Sequence, residues 1–468
     1  MRRAKIVATL GPATSSISTL EELIDSGVDV FRFNFSHGTM TTHETLLHKV
    51  RKAAHRVKRY PALLQDLPGP KVRVAKLTEP LNLVKDSLIS IRSGALKNPR
   101  SEFSLTIPTV LKAVKVGDPI LIDDGLIRLK VIKKTATALS CQVEVGGWVK
   151  PHKGVNFPAS SWETPALTPF DTRALLFGIT HDIDFVALSF VAHEQSIIRA
   201  KKILAAHNSK AKVITKIERP AALDNLERIL KVTDGVMVAR GDLAIEVSLE
   251  KVPFLQKEIT RKAHLEKVGV IIATQMLESM TEHALPTRAE VSDVANAVLD
   301  GADAMMLSAE TAVGSYPLEA VQMMDRIIRE AEHQEVQPET IVPHYHPSMD
   351  TIREVLSRAA VTSAVDPMHS KIVVFTLSGK TARIVSLLRP AAAIFSFTPS
   401  EKTYRQLHLE WGIQPLLMPY KKRPEEMIHE ATNRLKRLKW VRHNDQLIFI
   451  TGEFEKTYAT HSLIIRQI

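Results

Sequence analysis

Charged and hydroxylic side chains interrupt a series of apolar runs in this chain, always near the end of the run. Arg32, Asn34 and Ser36 fall in "VFRFNFSHG", Asp66 in "ALLQDLPG" and Ser189 in "FVALSF". Lys216 and Glu218 end "KVITKIE", Arg240 and Asp242 end "GVMVARGD", Thr274 lies in "VIIATQML", and Ser308 and Glu310 lie in "AMMLSAET". Taken singly, each has an ordinary reading: a strand-end Ser or Thr is a turn former or cap, Arg32 is a structural ion pair, and Lys216 with Glu218 is a surface salt bridge. Taken together they are a chemical kit. Two carboxylates, Glu218 and Asp242, leave the other positions of an oxygen-ligated Mg²⁺ or Mn²⁺ to water and ligand oxygens. Arg32, Lys216 and Arg240 add positive charge, and backbone N–H groups around Gly241 suit a carboxylate, as anion-binding nests do. Such a site fits a small, doubly anionic phosphate ester. It suits phosphoryl transfer, where catalysis is mostly positioning and charge stabilisation.

The elements that must position this kit follow from the runs themselves. Eight short, near-continuous apolar runs beginning at Lys5, Val30, Ala62, Phe185, Lys212, Gly235, Val270 and Ala304 read as strands buried on both faces, as a parallel sheet requires. Amphipathic segments such as "SISTLEELIDSGV" separate most of them. The alternation predicts a (β/α)₈ barrel, with the polar run ends converging on one mouth. The interval between the third and fourth runs is much longer. Its segments "LNLVKDSLISIR", "ILIDDGLIRLKVIKK" and "LSCQVEVGGW" alternate apolar and polar residues around turn signals such as Asp123-Asp124-Gly125. This predicts an inserted β domain over 70–164, between barrel segments 1–69 and 165–332, placed to act as a lid. A Pro- and His-containing stretch over 333–349 reads as a linker. A smaller α/β domain follows over 350–468, with strands in "KIVVFTLSGK", "AIFSFTPS", "IQPLLMP", "QLIFITG" and "SLIIRQI".

Composition bounds the class. The chain has 468 residues, enough for two or three domains, and a hydrophobic fraction of 44% that is ordinary for a globular protein. No apolar run reaches the roughly 18 residues of a membrane span, and the N-terminal apolar run is too short for a signal peptide. A single cysteine, Cys141, fits a reducing, cytoplasmic setting. The formal charge of +11 raises nucleic-acid binding. With aromatics at only 5% and no compact basic-aromatic cluster, anionic small substrates are the better partners.

The chain resembles the pyruvate kinase family over nearly its whole length. The resemblance rests on "KIVATLGPATSS", "FRFNFSHG", "DLPGPKVR", "KGVNFP", "TKIERPAALDNL", "VARGDLA", "IIATQMLESM", "PTRAEVSDVANAVLDGADAMMLSAETAVGSYPLEA" and "LLRP", in the family's order. It implies a barrel, a β lid and a C-terminal domain, and transfer of the phosphoryl group of phosphoenolpyruvate to ADP, giving pyruvate and ATP. By position, Lys216 matches the catalytic lysine, Arg32 the arginine that contacts the phosphoryl group, and Glu218 and Asp242 the ligands of Mg²⁺ or Mn²⁺. Gly241, Asp242 and Thr274 match the substrate carboxylate pocket. Thr274, Ser308 and Glu310 match the neighbourhood of the proton relay to the enolate, with the donor left open. Asn34, Arg73 and Lys153 match nucleotide contacts. The resemblance also implies a homotetramer, no nucleic acid and no membrane. A metabolite-sensing paralogue without turnover is the rival, and the full set of matching residues argues against it.

The departures carry their own expectations. Ala244 and Ala309 stand where the family often has glycine, and "NFPA" at 156–159 replaces "NLPG". Many pyruvate kinases read D-T-K-G-P-E-I-R where this chain has Leu67 and Lys71. In those, K⁺ binds through residues matching Asn34, Ser36, Asp66 and the carbonyl at Leu67. Lys71 in place of the glutamate resembles the K⁺-independent members, and a tethered ammonium there is expected to act on the phosphoryl group or on Asp66. Residues Ser378, Gly379, Lys380 and Thr381 lie between a strand and a helix, where the family has a sugar-phosphate effector loop. The spacing of a full P-loop is missing, and a tight turn is the alternative. The shortened "GEFEKTYATHSLIIRQI", with His461 where Asn is common, argues against the usual bisphosphate effector.

Overall fold

The computed structural model describes residues 1–96, 98–158, 167–334, 352–421, 423–453 and 459–468. The expected linker from 335 onward, part of the C-terminal loop (454–458) and Ala159 lie outside the described residues. Eight parallel strands close into a barrel: β1 (Lys5–Thr9), β2 (Val30–Asn34), β3 (Ala62–Leu67), β4 (Phe185–Leu188), β5 (Lys212–Ile217), β6 (Gly235–Ala239), β7 (Gly269–Ala273) and β8 (Ala304–Leu307). β1 pairs with both β2 and β8, which closes the ring. The helix read from "SISTLEELIDSGV" spans Ile17–Asp25, is capped by Ser16 and buries Leu20, Leu23 and Ile24 against the barrel.

The two-residue period of a strand divides the barrel's side chains into two cores. Val7, Val30, Leu64, Ile214, Ile271 and Met306 belong to the cluster that fills the barrel interior. Their neighbours Ile6, Phe31, Leu63, Val213, Val270 and Met305 pack outward into the helical shell. The same alternation sets the site. Two residues beyond Val30, Leu64 and Ile214 come Arg32, Asp66 and Lys216, and two beyond Lys216 comes Glu218. Once the apolar residues turn inward, the charged ones are delivered to the top of the interior.

At the opposite end of the strands a repeat appears that the hydrophobic pattern does not contain. An aspartate immediately precedes each even-numbered strand: Asp29, Asp184, Asp234 and Asp303. Each accepts, through Oδ2, the backbone N–H of the second residue of the preceding odd strand. The donors are Ile6 at 3.0 Å, Leu63 at 2.9 Å, Val213 at 2.8 Å and Val270 at 2.7 Å. These N–H groups have no strand partner at the barrel's edge, so the carboxylates supply it.

Between β3 and β4 lies the lid. Its six-stranded sheet runs in the order Val155–Asn156, Pro119–Ile122, Ile127–Lys134, Ala138–Val145, Leu88–Arg92 and Glu102–Ser104. The signal at 123–125 is a hairpin turn in which Asp123, Asp124 and Gly125 all have positive φ. Cys141 is buried in the lid core, and burial pushes its thiol up to about 12. The C-terminal domain is a sheet of β9 (Ser370–Phe375), β10 (Ala393–Thr398), β11 (Ile413–Leu417), β12 (Gln446–Glu453) and β13 (Ala459–Gln467), in the order β11-β10-β9-β12-β13. Only β13 is antiparallel. No helix among the described residues is long and apolar enough to cross a membrane.

Candidate active site

Four strand ends build the charged centre. Arg32, at the end of β2, donates from Nε to Asp66 Oδ2 at 2.8 Å and from its NH1 group to Thr9 Oγ1 at 3.0 Å. Lys216, on β5, donates to Ser189 Oγ at 2.7 Å and lies 2.8 Å from Glu218 Oε1 and 3.4 Å from Asp66 Oδ1. Arg32, Asp66, Ser189, Lys216 and Glu218 are all buried. Burial opposes ionisation of Asp66, but Lys216 and Arg32 outweigh it and hold the carboxyl below its usual range. Burial likewise pulls the Lys216 ammonium down, and Asp66 and Glu218 more than reverse this. The ammonium therefore remains charged throughout the physiological range. Glu218 behaves oppositely: burial raises its carboxyl, the Asp242 carboxylate adds to the rise, and Lys216 opposes it.

Backbone geometry fixes the rest. Phe190, just beyond β4, has φ +55° and donates its N–H to Glu218 Oε2 at 2.7 Å. Thr274 and Gln275, just beyond β7, are left-handed in succession, at φ +68° and +55°. Non-glycine residues enter this region rarely and at a cost. Arg240 holds them there: its NH2 group donates to the carbonyls of Thr274 at 2.8 Å and Gln275 at 3.0 Å, while NH1 pairs with Asp293 at 2.7 Å. The result aims Thr274 Oγ1 at the Gly241 N–H, which donates to it at 2.8 Å. Arg240 thus corrects its sequence reading: its guanidinium is consumed by the β7 turn and does not add charge beside Glu218. Glu310 is a positioning group too, accepting the N–H groups of Leu277 at 3.1 Å and Ser308 at 2.6 Å.

Lys71 enters from the lid side. The turn before it needs Gly69, at φ +64°, because a Cβ there would come within 2.6 Å of the Ser189 carbonyl. Lys71 Nζ lies 2.9 Å from Asp242 Oδ1 and 5.6 Å from the centroid of the Phe190 ring. The ammonium is inside the cleft, but its partner is Asp242; Asp66 takes its charge partners from Arg32 and Lys216. The cleft between lid and barrel holds about 890 Å³ and is lined by Lys71, Gly241, Asp242 and Gln275 below, with Leu121 and Arg128 of the lid above.

The remaining predicted residues make other contacts. Asn34 accepts the Ser36 N–H at 3.1 Å, and Leu67 is buried at the end of β3. Arg73 pairs with Gly154 across the two segments of the lid hinge, and Lys153 forms a 2.7 Å ion pair with Asp123 of the lid hairpin. Residues 378–381 start the helix Lys380–Leu387; Gly379 is left-handed, and its N–H donates to Thr376 Oγ1 at 3.0 Å.

The centre fits a small divalent cation. Glu218 Oε1 is buried with the Lys216 ammonium 2.8 Å away, and the second carboxylate, Asp242, is close enough to raise the Glu218 carboxyl. Among the described residues no cluster of three metal-ligating side chains occurs. Two carboxylates with the other positions left to water and ligand oxygens would suit Mg²⁺ or Mn²⁺.

Residues 1–321 match the family model for the pyruvate kinase barrel domain, and residues 354–465 match the pyruvate kinase alpha/beta domain. A pyruvate kinase of Agrobacterium vitis is 40% identical over 472 aligned residues, covering 100% of this chain and 98% of its own length. One from Thermotoga maritima is 37% identical, with both chains fully covered. One from Geobacillus stearothermophilus is 38% identical over 96% of this chain and 78% of its own.

Proposed function

The chain belongs to the pyruvate kinase family, whose reaction uses phosphoenolpyruvate and ADP, and from this premise we propose that its site works with Mg²⁺ or Mn²⁺ on Glu218 and Asp242 and without K⁺. A bound divalent ion supplies charge that offsets the phosphoryl oxygens. Lys216, kept charged by two carboxylates, neutralises the phosphoryl group in transfer and the enolate left behind. Arg32, fixed by Asp66 and Thr9, orients the phosphoryl group from the β2 side. The amides at Gly241 and Asp242, with Thr274, hold the substrate carboxylate. Asn34 serves the nucleotide from the barrel side, and Arg73 and Lys153 serve it from the lid hinge.

The observation that carries K⁺ independence is the placement of the Lys71 ammonium in the cleft, 2.9 Å from Asp242. Three cationic side chains, Arg32, Lys71 and Lys216, face three carboxylates, Asp66, Glu218 and Asp242. At an effective dielectric near 20, unit charges about 4 Å apart interact by roughly 4 kcal/mol. A fixed ammonium in this cleft supplies positive charge of the kind a monovalent cation would bring. Initial rates with phosphoenolpyruvate, ADP and Mg²⁺ test this. Replacing K⁺ by tetramethylammonium at constant ionic strength leaves the rate within about twofold, whereas Lys71→Glu makes it K⁺-dependent. A hundredfold drop for the unmodified enzyme, on the order of 3 kcal/mol, would sink the reading.

The same reading takes the enzyme as cytoplasmic and homotetrameric. Exposed apolar side chains on the segments after β6 to β8, including Leu249 at 75% and Phe254 at 74% exposure, support contact between copies. A light-scattering mass of one chain would exclude the tetramer. Residues 378–381 are assigned to a phosphorylated effector. They stand at the end of β9 beside β12, where the strand order reverses and α/β sheets bind ligands. A flat response to sugar phosphates and nucleoside monophosphates at subsaturating phosphoenolpyruvate removes that assignment.

A further inference from the structure

The barrel mouth opposite the active site is closed by the C-terminal domain. One segment, residues 402–413, reaches most of the circumference. Arg405 Nε donates to Asp184 at 3.0 Å, before β4. His408 Nδ1 stands 4.0 Å from Asp29, before β2, and Glu410 stands 3.5 Å from Lys212, which begins β5. Gly412 donates its N–H to the Arg3 carbonyl at 2.8 Å, and Lys5 of β1 donates from Nζ to the Ile413 carbonyl at 2.7 Å. Trp411 lies under Arg389, which is 4.5 Å from the ring and bonded to Asp303 before β8 at 2.8 Å.

Leu409 sits between His408 and Glu410, whose partners lie three strands apart around the ring. A residue suspended between those anchors lies across the opening. Leu409 is the C-terminal-domain side chain that packs against the interior cluster of Val30, Leu64, Ile214 and Ile271. Three of those residues stand two positions before Arg32, Asp66 and Lys216 on the same strands. A close-packed interior transmits a void along its length, because side chains shift only into positions that neighbours vacate.

We propose that Leu409 is a positioning residue for phosphoryl transfer: it is the floor of the barrel interior, and through the column above it the C-terminal domain fixes the catalytic layer without touching substrate. The flanking ion pairs hold the floor in register, and Leu409 bears on the column. The proposal rests on the assignment of Arg32 and Lys216 to catalysis. The rate of the unmodified enzyme tests that assignment, and the ratio of variant to parent tests the floor.

The experiment compares Leu409→Ala with Leu435→Ala, a truncation of equal size in the core of the C-terminal domain, away from the barrel. Each is assayed well below its own thermal midpoint, measured by circular dichroism. Leu409→Ala is expected to lower kcat about tenfold with KM for phosphoenolpyruvate within about twofold, as sub-ångström misplacement of catalytic groups does. Leu409→Met, which conserves volume, restores kcat to within about twofold. Leu435→Ala lowers the midpoint at least as far and keeps kcat within about twofold. If Leu409→Ala does not fold, Leu409→Val carries the same test at about threefold. Full kcat in the folded Leu409 variants, or an equal loss in Leu435→Ala, overturns the proposal.

Discussion

The two mouths of the barrel both collect buried charge, and they treat it differently. At the C-terminal mouth, Asp66, Glu218 and Asp242 share Arg32, Lys71 and Lys216, and the Asp242 carboxylate helps to raise the carboxyl of Glu218. At the N-terminal mouth, Asp29, Asp184 and Asp303 each bind a strand N–H and at least one arginine. One end keeps its carboxylates crowded together around shared cations. The other saturates them and uses them to close the ring and dock the C-terminal domain. Buried charge alone therefore does not mark an active site; how the charges share their partners must be read as well.

The largest expected effect comes from breaking the crowded end. Lys216→Gln removes the ammonium that touches both Asp66 and Glu218. We expect kcat to fall by on the order of 10³, because fixed charge at the transferring group is the main catalytic term. Steady-state rates at saturating phosphoenolpyruvate, ADP and Mg²⁺ check it. A loss smaller than about tenfold would mean that Lys216 is only a structural partner of the carboxylates.

Arg240 sharpens the comparison, since it sits at the catalytic mouth yet behaves like the residues of the other one. Its bonds to two successive carbonyls keep Thr274 and Gln275 in a conformation that costs about 1–3 kcal/mol for each residue. Arg240→Gln should let the turn relax and move Thr274 off the Gly241 N–H. The expected loss in kcat/KM for phosphoenolpyruvate is about 10²-fold, and Arg240→Lys recovers little of it, because an ammonium cannot span both carbonyls and Asp293. Unchanged kcat/KM in Arg240→Gln would show that the turn holds itself.

The convergence of charged residues on the C-terminal mouth was largely legible in the sequence, and the aspartate ring of the other mouth was not. Strand β2 shows why: Arg32 in Val30-Phe-Arg-Phe-Asn34 reads alone as a structural ion pair, but polar residues recurring at the corresponding ends of several apolar runs point to one barrel mouth. The lid was legible through its alternating strands and the Asp123-Asp124-Gly125 turn. Asp29, Asp184, Asp234 and Asp303 look in sequence like ordinary turn residues before strands. Their regular spacing at every second strand was a signal that could have been read. Their partners Arg405 and Arg389 lie in another domain, and no local pattern announces them. Arg240 was misread because its motif neighbours are functional, while its own partners, the carbonyls of a strained turn, are invisible to residue type. Lys71 was expected in the cleft, but which carboxylate it meets depends on how the lid hinge folds back.

The smallest of these effects compares the two mouths by their response to acid. Asp303 is buried; burial would raise its carboxyl, but Arg389 and His264 outweigh it and hold it at about 2, against an ordinary 3.8. A carboxyl depressed on folding stabilises the protein above its unfolded value, and that contribution is lost as pH falls through the folded value. The window here is from about pH 4 to pH 2, and the stake is about 2 kcal/mol. Asp303→Asn should therefore lower the free energy of urea unfolding by about 2 kcal/mol or more near neutral pH, with the gap closing below about pH 4. Trp411, stacked on the arginine that binds Asp303, offers a fluorescence signal at that mouth. A gap that stays constant down to pH 2 would show that Asp303 acts through shape and not through charge. Glu218 has the opposite sign: burial and Asp242 raise its carboxyl above the ordinary 4.5 despite Lys216, so it favours the folded state in acid and opposes it once ionised. Glu218→Gln should accordingly raise unfolding stability near neutral pH while removing a proposed metal ligand. If both substitutions shift stability in the same direction at pH 7, the contrast between a saturated mouth and a crowded one fails.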